Sequence, residues 1–408
     1  MTRVVVTGYG TISALGQDAD SYAQNLLAGV SGIGPIRAFD SSLLRTHIAA
    51  EVPDYDPSAH FSQREQSQID RFSQFAILAS REAAAQAGLT IDEKLAERTC
   101  VVYGTGIGGQ TTQDQNYNRL YAEGKYSTHP FTVAKLMPSA AASHISMDLG
   151  ITGPAFGIVS ACSSAAHAIA NGWMLIRSGL ADVALVGGSE ALICLGAVAV
   201  WESMRVLALD TCRPFSAKRG GLVLGEGAGT LVLESLEHAR SRGAPILAEL
   251  AGVGMTSDAG NLIRPSLHGP VRAMQQAITG SGLQATDVAY INAHGTGTLQ
   301  NDPVETQAIH AVFGEHAARL VVSSTKSMIG HTLGAAGALE AIATVVALQR
   351  QTAPPTMNYL AADPKCDLDY APNASRPLEI GVALSNSFAF GGLNVALCFR
   401  HGDLIEGG

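Results

Sequence analysis

Charged residues are scarce in this chain: Asp, Glu, Lys and Arg make up only 15% of its 408 residues, while 47% are hydrophobic. So low a charge content indicates a large buried fraction and room for a subunit interface. The formal net charge is −9, which argues against nucleic acid as the main partner. It still allows a local basic patch that binds an acidic protein.

Long apolar runs are lacking as well. The most apolar stretches are residues 165–176 and 333–348. The first is too short to cross a bilayer and contains His167 and Asn171, and the second carries Glu340. We therefore expect no membrane span. No charged and apolar leader precedes the first strand-like run, so we also expect no secretion signal.

Paired cysteines and metal-ligand spacings are absent. The six cysteines form no CxxC pair, and the twelve histidines show no spacing typical of zinc sites. These patterns predict a reduced, cytoplasmic protein without a metal.

A weak internal repeat is present in place of a linker or low-complexity segment. Thr7–Gly16 reads TGYGTISALG and Ala251–Gly260 reads AGVGMTSDAG. A helical run follows each motif and stops at Gly88 or Gly282, as helices do where a glycine relieves the left-handed C′ position. Strand-like runs come next in both places, which predicts a layered α/β architecture of two similar halves.

Cys162 is the first candidate for chemistry. A short apolar strand-like run leads into SACSS, where a small-residue helix opens. A thiol at a helix N-terminus faces unpaired N–H groups and the positive end of the dipole, and both favour the reactive thiolate. A small buried cysteine in a core helix would show the same local pattern.

Two histidines lie at glycine-containing turns. His294 ends an apolar run and begins HGTGT, and His331 follows a glycine in SMIGH. Strand ends of this kind often carry functional side chains in α/β proteins. Glu340 sits in an otherwise apolar helix, where pairing with Lys326 or with water would offset its burial.

Taken together, the ordered motifs resemble β-ketoacyl-acyl-carrier-protein synthases, and the type II enzymes in particular. The resemblance covers essentially the whole chain and rests on VVVTGYGTISALG, SACSSAAHAI, GEGAGTLVLE, NAHGTGT, SSTKSMIGHTLGAAGALE and NSFAFGGLN. It implies a thiolase-like five-layered αβαβα fold with two pseudo-symmetric halves, which we place at residues 1–244 and 245–408. It also implies a dimer that acts on an acyl carrier protein, with no cofactor beyond the carrier's phosphopantetheine.

The same resemblance assigns roles to individual residues. Cys162, His294 and His331 match the catalytic triad, and the supporting lysine and glutamate match Lys326 and Glu340. Phe388 and Phe390 match the gating-loop aromatics, and the N–H of Phe390 matches one donor of the oxyanion hole. Ile107 and Trp201 match residues of the acyl pocket. Thr296 and Thr298 match the threonines that contact the pantetheine and malonyl groups. The reaction implied is a decarboxylative condensation of malonyl carrier with an acyl chain held on the cysteine.

Some positions depart from the family's usual pattern. Ala389 and Leu393 replace Gly and Thr in the gating loop, and Gly220-Gly221 replaces an Asp-Gly pair. Such variants also resemble ketosynthases of specialised polyene pathways, some of which work with a chain-length partner that lacks the triad. That heterodimeric role is the alternative to a homodimeric enzyme of fatty-acid or related polyketide or polyene biosynthesis.

Three rival classes are weighed against the triad. A thiolase or type III synthase would carry Cys or Asn where His331 stands. A non-catalytic chain-length partner would lack the nucleophile found at Cys162. A cysteine hydrolase would need neither two histidine donors nor a carrier-gating loop.

An acidic carrier requires basic contacts. The candidates from the sequence are Arg64, Arg71, Lys125, Arg205, Arg213, Lys218 and Arg219.

Overall fold

Ten β-strands form one continuous sheet in the computed structural model, which describes residues 2–405. The strands are β1 (Val4–Ser13), β2 (Thr99–Gly104), β3 (Ala155–Ile158), β4 (Val183–Glu190), β5 (Gly227–Ser235), β6 (Ala248–Ser257), β7 (Val288–Asn292), β8 (Val321–Ser323), β9 (Val382–Ala389) and β10 (Leu393–His401). Two short ladders lie apart from this sheet, and they pair Gly34–Pro35 with Ile48–Ala49 and Thr352–Ala353 with Arg376–Pro377.

The strand order repeats between the two halves of the sheet. The first five strands run β3-β2-β4-β5-β1 and the last five run β8-β7-β9-β10-β6. In both halves the first three strands of that order are parallel and the last two ladders antiparallel. β1 and β6 join the halves through only two residue pairs. This repetition agrees with the predicted pseudo-symmetry, while the division at residues 244 and 245 stays a prediction.

Fourteen α-helices lie within the described range. They are α1 (Ala19–Ala28), α2 (Gln63–Gln68), α3 (Arg71–Gln86), α4 (Glu93–Arg98), α5 (Gln110–Tyr117), α6 (Thr132–Leu136), α7 (Ala140–Leu149), α8 (Ser164–Arg177), α9 (Leu195–Ser203), α10 (Leu236–Ser241), α11 (His268–Gly280), α12 (Asn301–Phe313), α13 (Lys326–Ile329) and α14 (Ala336–Arg350).

Helices α8 and α14 form the middle layer. They pack on each other, α8 against β2 and β4 of the first half and α14 against β9 and β10 of the second. α3 and α7 cover the outer face of the first half, and α11 packs on β6 and β10 at the opposite side. These contacts give the αβαβα layering that was predicted. The apolar segment Leu333–Arg350 is long enough for a bilayer but 89% buried between the two halves of the sheet, as a core helix is.

The glycines of the internal repeat have a packing role. A Cβ on Gly8 or Gly10 would lie 2.4 and 2.2 Å from carbonyl oxygens of α3. The equivalent atoms on Gly252 and Gly254 would lie 2.1 and 1.9 Å from carbonyl oxygens of α11. In each half the first strand therefore packs directly on the backbone of a helix from the same half, α3 or α11, which only glycine permits.

Candidate active site

Cys162 lies on a short 3-10 turn between β3 and α8. The turn spans Ala161–Ser163, and Ala161 adopts a left-handed conformation with φ of 52°. Ser163 donates its hydroxyl to the carbonyl oxygens of Ser387, at 3.0 Å, and Leu393, at 2.8 Å. The turn is therefore tied to the β9–β10 hairpin, and Cys162 is held 5% exposed at the bottom of a cavity.

The resting state of the sulfur differs from the sequence-based expectation. Burial raises the pKa of the Cys162 thiol to about 12, against the opposing influence of the Lys326 ammonium and the backbone N–H of Phe390. The prediction that the helix N-terminus favours the thiolate is wrong for this state. Desolvation is the largest influence on this pKa because the sulfur is almost closed off from water.

His294 follows β7 and is fixed through its own backbone. Its N–H donates to Glu305 Oε1 and the N–H of Gly295 donates to Glu305 Oε2, both at 2.8 Å. Asn386 and Asn301 also donate to this carboxylate, at 3.4 and 3.3 Å. A single buried glutamate of α12 therefore sets where the His294 strand end lies.

The two imidazole rings meet edge to face. The ring centroids of His294 and His331 lie 5.4 Å apart at 83°. The N–H of Leu333 donates to His331 Nδ1 at 3.3 Å, and Lys326 Nζ lies 3.4 Å from His294 Nδ1. Because Nδ1 faces a donor in each ring, the proton of each neutral imidazole resides on Nε2.

Both imidazoles are neutral in this environment. Burial, then the nearby Lys326 ammonium, then His331 lower the pKa of His294 well below its usual value. Burial and Lys326 do the same to the pKa of His331. The site therefore offers two neutral Nε2–H donors beside a buried cysteine.

Lys326 and Glu340 form a fully buried ion pair. Lys326 Nζ donates to Glu340 Oε1, and both side chains are 0% exposed. Burial raises the pKa of Glu340 against the effect of the Lys326 charge. Pairing with Lys326 is one of the two arrangements expected from the cost of an isolated carboxylate in an apolar helix. It also puts a cation 3.4 Å from His294 Nδ1.

A cavity of about 300 Å³ opens above the cysteine. Trp201 and Phe390 stack there with ring centroids 6.2 Å apart and planes 19° apart, and Thr296 Oγ1 lies 2.9 Å from Thr298 Oγ1. Its lining contains most of the predicted site residues: Cys162, Trp201, His294, Thr296, Thr298, His331, Phe388 and Phe390.

Ile107 lies outside this cavity. Its side chain is 41% exposed in the single chain, and it is not part of the lining described above. A wider open groove of about 910 Å³ between residues 31–57 and helices α5 and α9 contains no member of the predicted triad. The structure therefore brings the triad, the aromatics and the threonines together, but not Ile107.

Two buried acids at the start of α12 were missed from the sequence. Glu305 holds the His294 segment, and Asp302 accepts the N–H of Phe215 at 2.7 Å and that of Gly297 at 3.2 Å. Burial raises the pKa of Asp302 to about 6. Their spacing of three residues, shortly after HGTGT, puts both on one helix face and could have identified them.

The basic candidates for carrier binding divide into two groups. Arg71 bonds to buried Glu226 at 2.6 Å, and Arg219, 4% exposed, bonds to Asp363 at 2.6 Å. Those two side chains form ion pairs within the chain and stabilise the fold. Arg213 is largely buried beside Asp210. The candidates with exposed side chains are Arg64, Lys125, Arg205 and Lys218.

Comparison with known proteins gives a consistent family. The model described as "Beta-ketoacyl synthase, N-terminal domain" matches residues 1–239, and the corresponding C-terminal domain model matches residues 247–360. Nodulation protein E of Rhizobium sp. (strain N33) is 50% identical over 398 residues, 98% of this chain and 99% of that protein. The 3-oxoacyl-[acyl-carrier-protein] synthase 2 of Staphylococcus aureus (strain COL) is 42% identical over 405 residues, 98% of each chain. A solved structure described as the ishigamide ketosynthase/chain length factor superposes with a TM-score of 0.92 at 35% identity, covering 98% of this chain and 99% of that one.

Proposed function

The chain belongs to the β-ketoacyl synthase family and condenses carrier-bound acyl substrates, and we propose that Cys162 holds the acyl chain while His294 and His331 promote decarboxylation. The observation that carries this assignment is the convergence of the three side chains in one cavity, with both imidazoles neutral and both Nε2–H groups free to donate.

In the first half-reaction the sulfur of Cys162 attacks the thioester of an acyl carrier. The carbonyl oxygen becomes an oxyanion that the N–H groups of Cys162 and Phe390 stabilise. This role is supported by the influence of both N–H groups on the resting thiol, whose pKa they lower against the effect of burial. The carrier leaves as a thiol and takes the proton that the cysteine gives up, so that an acyl-enzyme and a free carrier result.

In the second half-reaction a malonyl carrier occupies the vacated site. Its thioester carbonyl accepts hydrogen bonds from the Nε2–H groups of His294 and His331. Carbon dioxide leaves, the enolate that remains is stabilised by those donors, and its carbon attacks the acyl group on Cys162. The β-ketoacyl carrier departs, and the released thiolate takes up a proton because its pKa in this site is about 12.

Loss of carbon dioxide drives the carbon–carbon bond formation, so this chemistry calls for no metal or redox group. The substrates arrive on the phosphopantetheine arm of the carrier, for which Thr296 and Thr298 line the cavity wall. All six cysteines are free thiols, which agrees with a cytoplasmic location.

A second subunit is part of this proposal. β3 is the last strand of the sheet, and Phe156 on it and Val159 just after it are 36% and 56% exposed. An exposed apolar sheet edge favours pairing with another chain. We infer a homodimer through this edge.

A chain-length partner is the alternative occupant of the same edge, favoured by the solved ketosynthase/chain length factor structure that this chain resembles. Sedimentation of the purified chain distinguishes the two cases: a stable active dimer supports the first, and a monomer that is active only with a co-produced homologue supports the second.

The direct test of the activity uses the purified chain, an acyl carrier and a malonyl carrier. Mass spectrometry should show an acyl adduct on Cys162 and then a β-ketoacyl carrier two carbons longer than the acyl donor. An adduct without condensation product would remove the histidines from the assigned role. Absence of both would overturn the proposed function.

The carrier contact should depend on charge. Reversing Arg205 or Lys218 to glutamate should raise the Michaelis constant for the carrier more than it lowers turnover. Lys94→Glu, on the exposed surface of α4, is the control for the change in net charge. Equal Michaelis constants at low and high salt would contradict an electrostatic contact.

A further inference from the structure

Glu190 is a buried acid that the mechanism above does not use. It ends β4 and is 0% exposed. Its Oε2 accepts the N–H of Gly106 at 2.7 Å and that of Gly334 at 2.9 Å, and its Oε1 accepts the Thr105 hydroxyl at 3.2 Å. Among the described residues no basic side chain forms an ion pair with it, so its partners are main-chain and hydroxyl donors.

The two segments joined by this carboxyl group come from different halves of the molecule. Gly106 follows β2, and Gly334 lies on the 3-10 turn Leu333–Ala335 just after His331. A Cβ on Gly334 would lie 2.1 Å from the nitrogen of Gly106. The backbones are therefore in direct contact, and Glu190 supplies the acceptor for the N–H groups that meet there.

The turn held by Glu190 also orients a catalytic ring. Leu333, one residue before Gly334, donates its N–H to His331 Nδ1 and has a left-handed φ of 42°. A leucine keeps such a conformation only where its surroundings impose it. The bond from the Gly334 N–H to Glu190 fixes the peptide that follows Leu333, and so contributes to that constraint.

From this geometry we propose that Glu190 is a positioning residue for the condensation step: it holds the Leu333–Gly334 turn so that the Leu333 N–H keeps the His331 proton on Nε2. This inference rests on the proposed role of His331 as a donor to the malonyl thioester. Cys162 and its oxyanion N–H groups do not contact Glu190, so acyl transfer to the sulfur does not depend on it.

Two substitutions of Glu190 distinguish the effect of its hydrogen-bond acceptor oxygens from that of its charge. Glu190→Gln keeps an amide oxygen for both N–H groups and can place its NH₂ toward the Thr105 hydroxyl. Glu190→Ala leaves both N–H groups without a partner. Glu234→Ala is the matched control, since Glu234 is also 0% exposed and lies at the opposite end of the same strand pair, where it bonds to Thr7 and Arg242.

The measurement uses acyl-enzyme that is formed first, isolated, and then mixed with malonyl carrier. The rate constant for malonyl-dependent loss of the acyl group measures condensation, and only acylated molecules contribute to it. Unfolded protein is not acylated, so an unfolded fraction does not change this rate constant. Glu190→Ala should lower this rate constant roughly 10- to 100-fold, with a smaller effect on the rate of acylation. Glu190→Gln and Glu234→Ala should stay close to the parent.

A second variant covers the case in which Glu190→Ala does not fold. Gly334→Ala forces the two segments apart without altering Glu190, and should lower the same rate constant. An unchanged condensation rate in either Glu190→Ala or Gly334→Ala would overturn the proposal, and so would a loss in Glu190→Gln as large as that in Glu190→Ala. A parent protein that forms acyl-enzyme but never condenses would instead refute the proposed role of the histidines, on which this inference rests.

Discussion

The two halves of the molecule share one local structure, a 3-10 turn before a central helix, but the turn has a different role in each half. In each, a 3-10 turn with a left-handed non-glycine residue precedes a buried central helix: Ala161, with φ of 52°, leads into α8, and Leu333, with φ of 42°, leads into α14. The residue after Ala161 is the proposed nucleophile Cys162, whereas the residue after Leu333 is Gly334. The first turn presents a side chain to the substrate, and the second serves the position of His331.

Their electrostatics differ in the same way. On the α8 side, Cys162 belongs to a buried apolar cluster with Leu192, Leu207 and Leu222, and this burial keeps its thiol protonated. The α14 side buries the Lys326–Glu340 pair, and burial of the imidazoles, together with the Lys326 cation, keeps the histidines neutral. The proposed nucleophile and the proposed decarboxylation donors thus come from different halves, although the Phe390 N–H of the second half also serves acyl transfer. This separation predicts that substitutions can affect the two steps unequally.

Substitution of Cys162 should have the largest effect. Cys162→Ala should abolish both the acyl-enzyme and condensation because no nucleophile remains. Cys162→Gln should also block acylation but keep or raise malonyl decarboxylation, because its amide resembles the acyl thioester and leaves both histidines in place. Intact mass and carbon dioxide release measure the two steps, and acyl labelling of Cys162→Ala would contradict the assignment.

Removing a histidine should give the reverse pattern. His294→Ala and His331→Ala should each slow decarboxylation roughly a hundred- to thousand-fold, the usual cost of one oxyanion-type donor. Acylation of Cys162 should fall much less. Burst labelling and single-turnover condensation measured on one preparation give the ratio of the two effects, and near-normal condensation in both variants would refute the division of labour between the halves.

Much of this arrangement was predictable from the sequence, and the remainder was not for physical reasons. Glycine periodicity indicated the repeat because strand-on-helix contact leaves no room for a Cβ. The prediction of a thiolate at Cys162 was wrong because the helix-dipole argument took no account of desolvation. Glu190 gave no signal, since its backbone donors lie 84 and 144 residues away along the chain. Arg71 was an unsuitable carrier contact because Glu226, 155 residues away, holds it inside the fold.

Breaking the buried pair of the second half should reduce stability more than replacing it whole. Lys326→Met leaves the carboxyl group of Glu340 without its cation, and loss of one partner of a buried pair costs roughly 3–5 kcal/mol. The double variant Lys326→Met/Glu340→Gln should recover much of that loss without recovering condensation. Urea unfolding monitors stability, and equal losses in the single and double variants would show that the pair is not the cause.

The contact between the halves should respond to pH. Burial raises the pKa of Glu190 to about 7 from 4.5, so the folded state favours the protonated acid. Its contribution to stability is fully present below about pH 4.5 and is lost as the pH rises through 7, by roughly 3 kcal/mol. Glu190→Gln should lose less stability than the parent between pH 5 and pH 8 in urea unfolding. If the free energy of unfolding depends on pH in the same way in both proteins, the pKa of Glu190 is not raised by folding.

The smallest effect concerns which acyl chain the first half accepts. An alkyl tail on Cys162 requires an apolar tunnel, since each CH₂ left in water forfeits about 0.8 kcal/mol of burial. Trp201 lines the cavity and stacks on Phe390, so Trp201→Ala should widen the tunnel and change the accepted length or shape. Ile107 is 41% exposed in the single chain; if a second subunit completes the tunnel beside it, Ile107→Trp should exclude longer chains and spare short ones. Intact mass across carriers of increasing acyl length measures both variants, with Leu209→Trp at an exposed position as the control for added bulk. A Trp201→Ala profile that overlays the parent's would remove Trp201 from the tunnel, and an unchanged Ile107→Trp profile would leave Ile107 as surface or interface packing only.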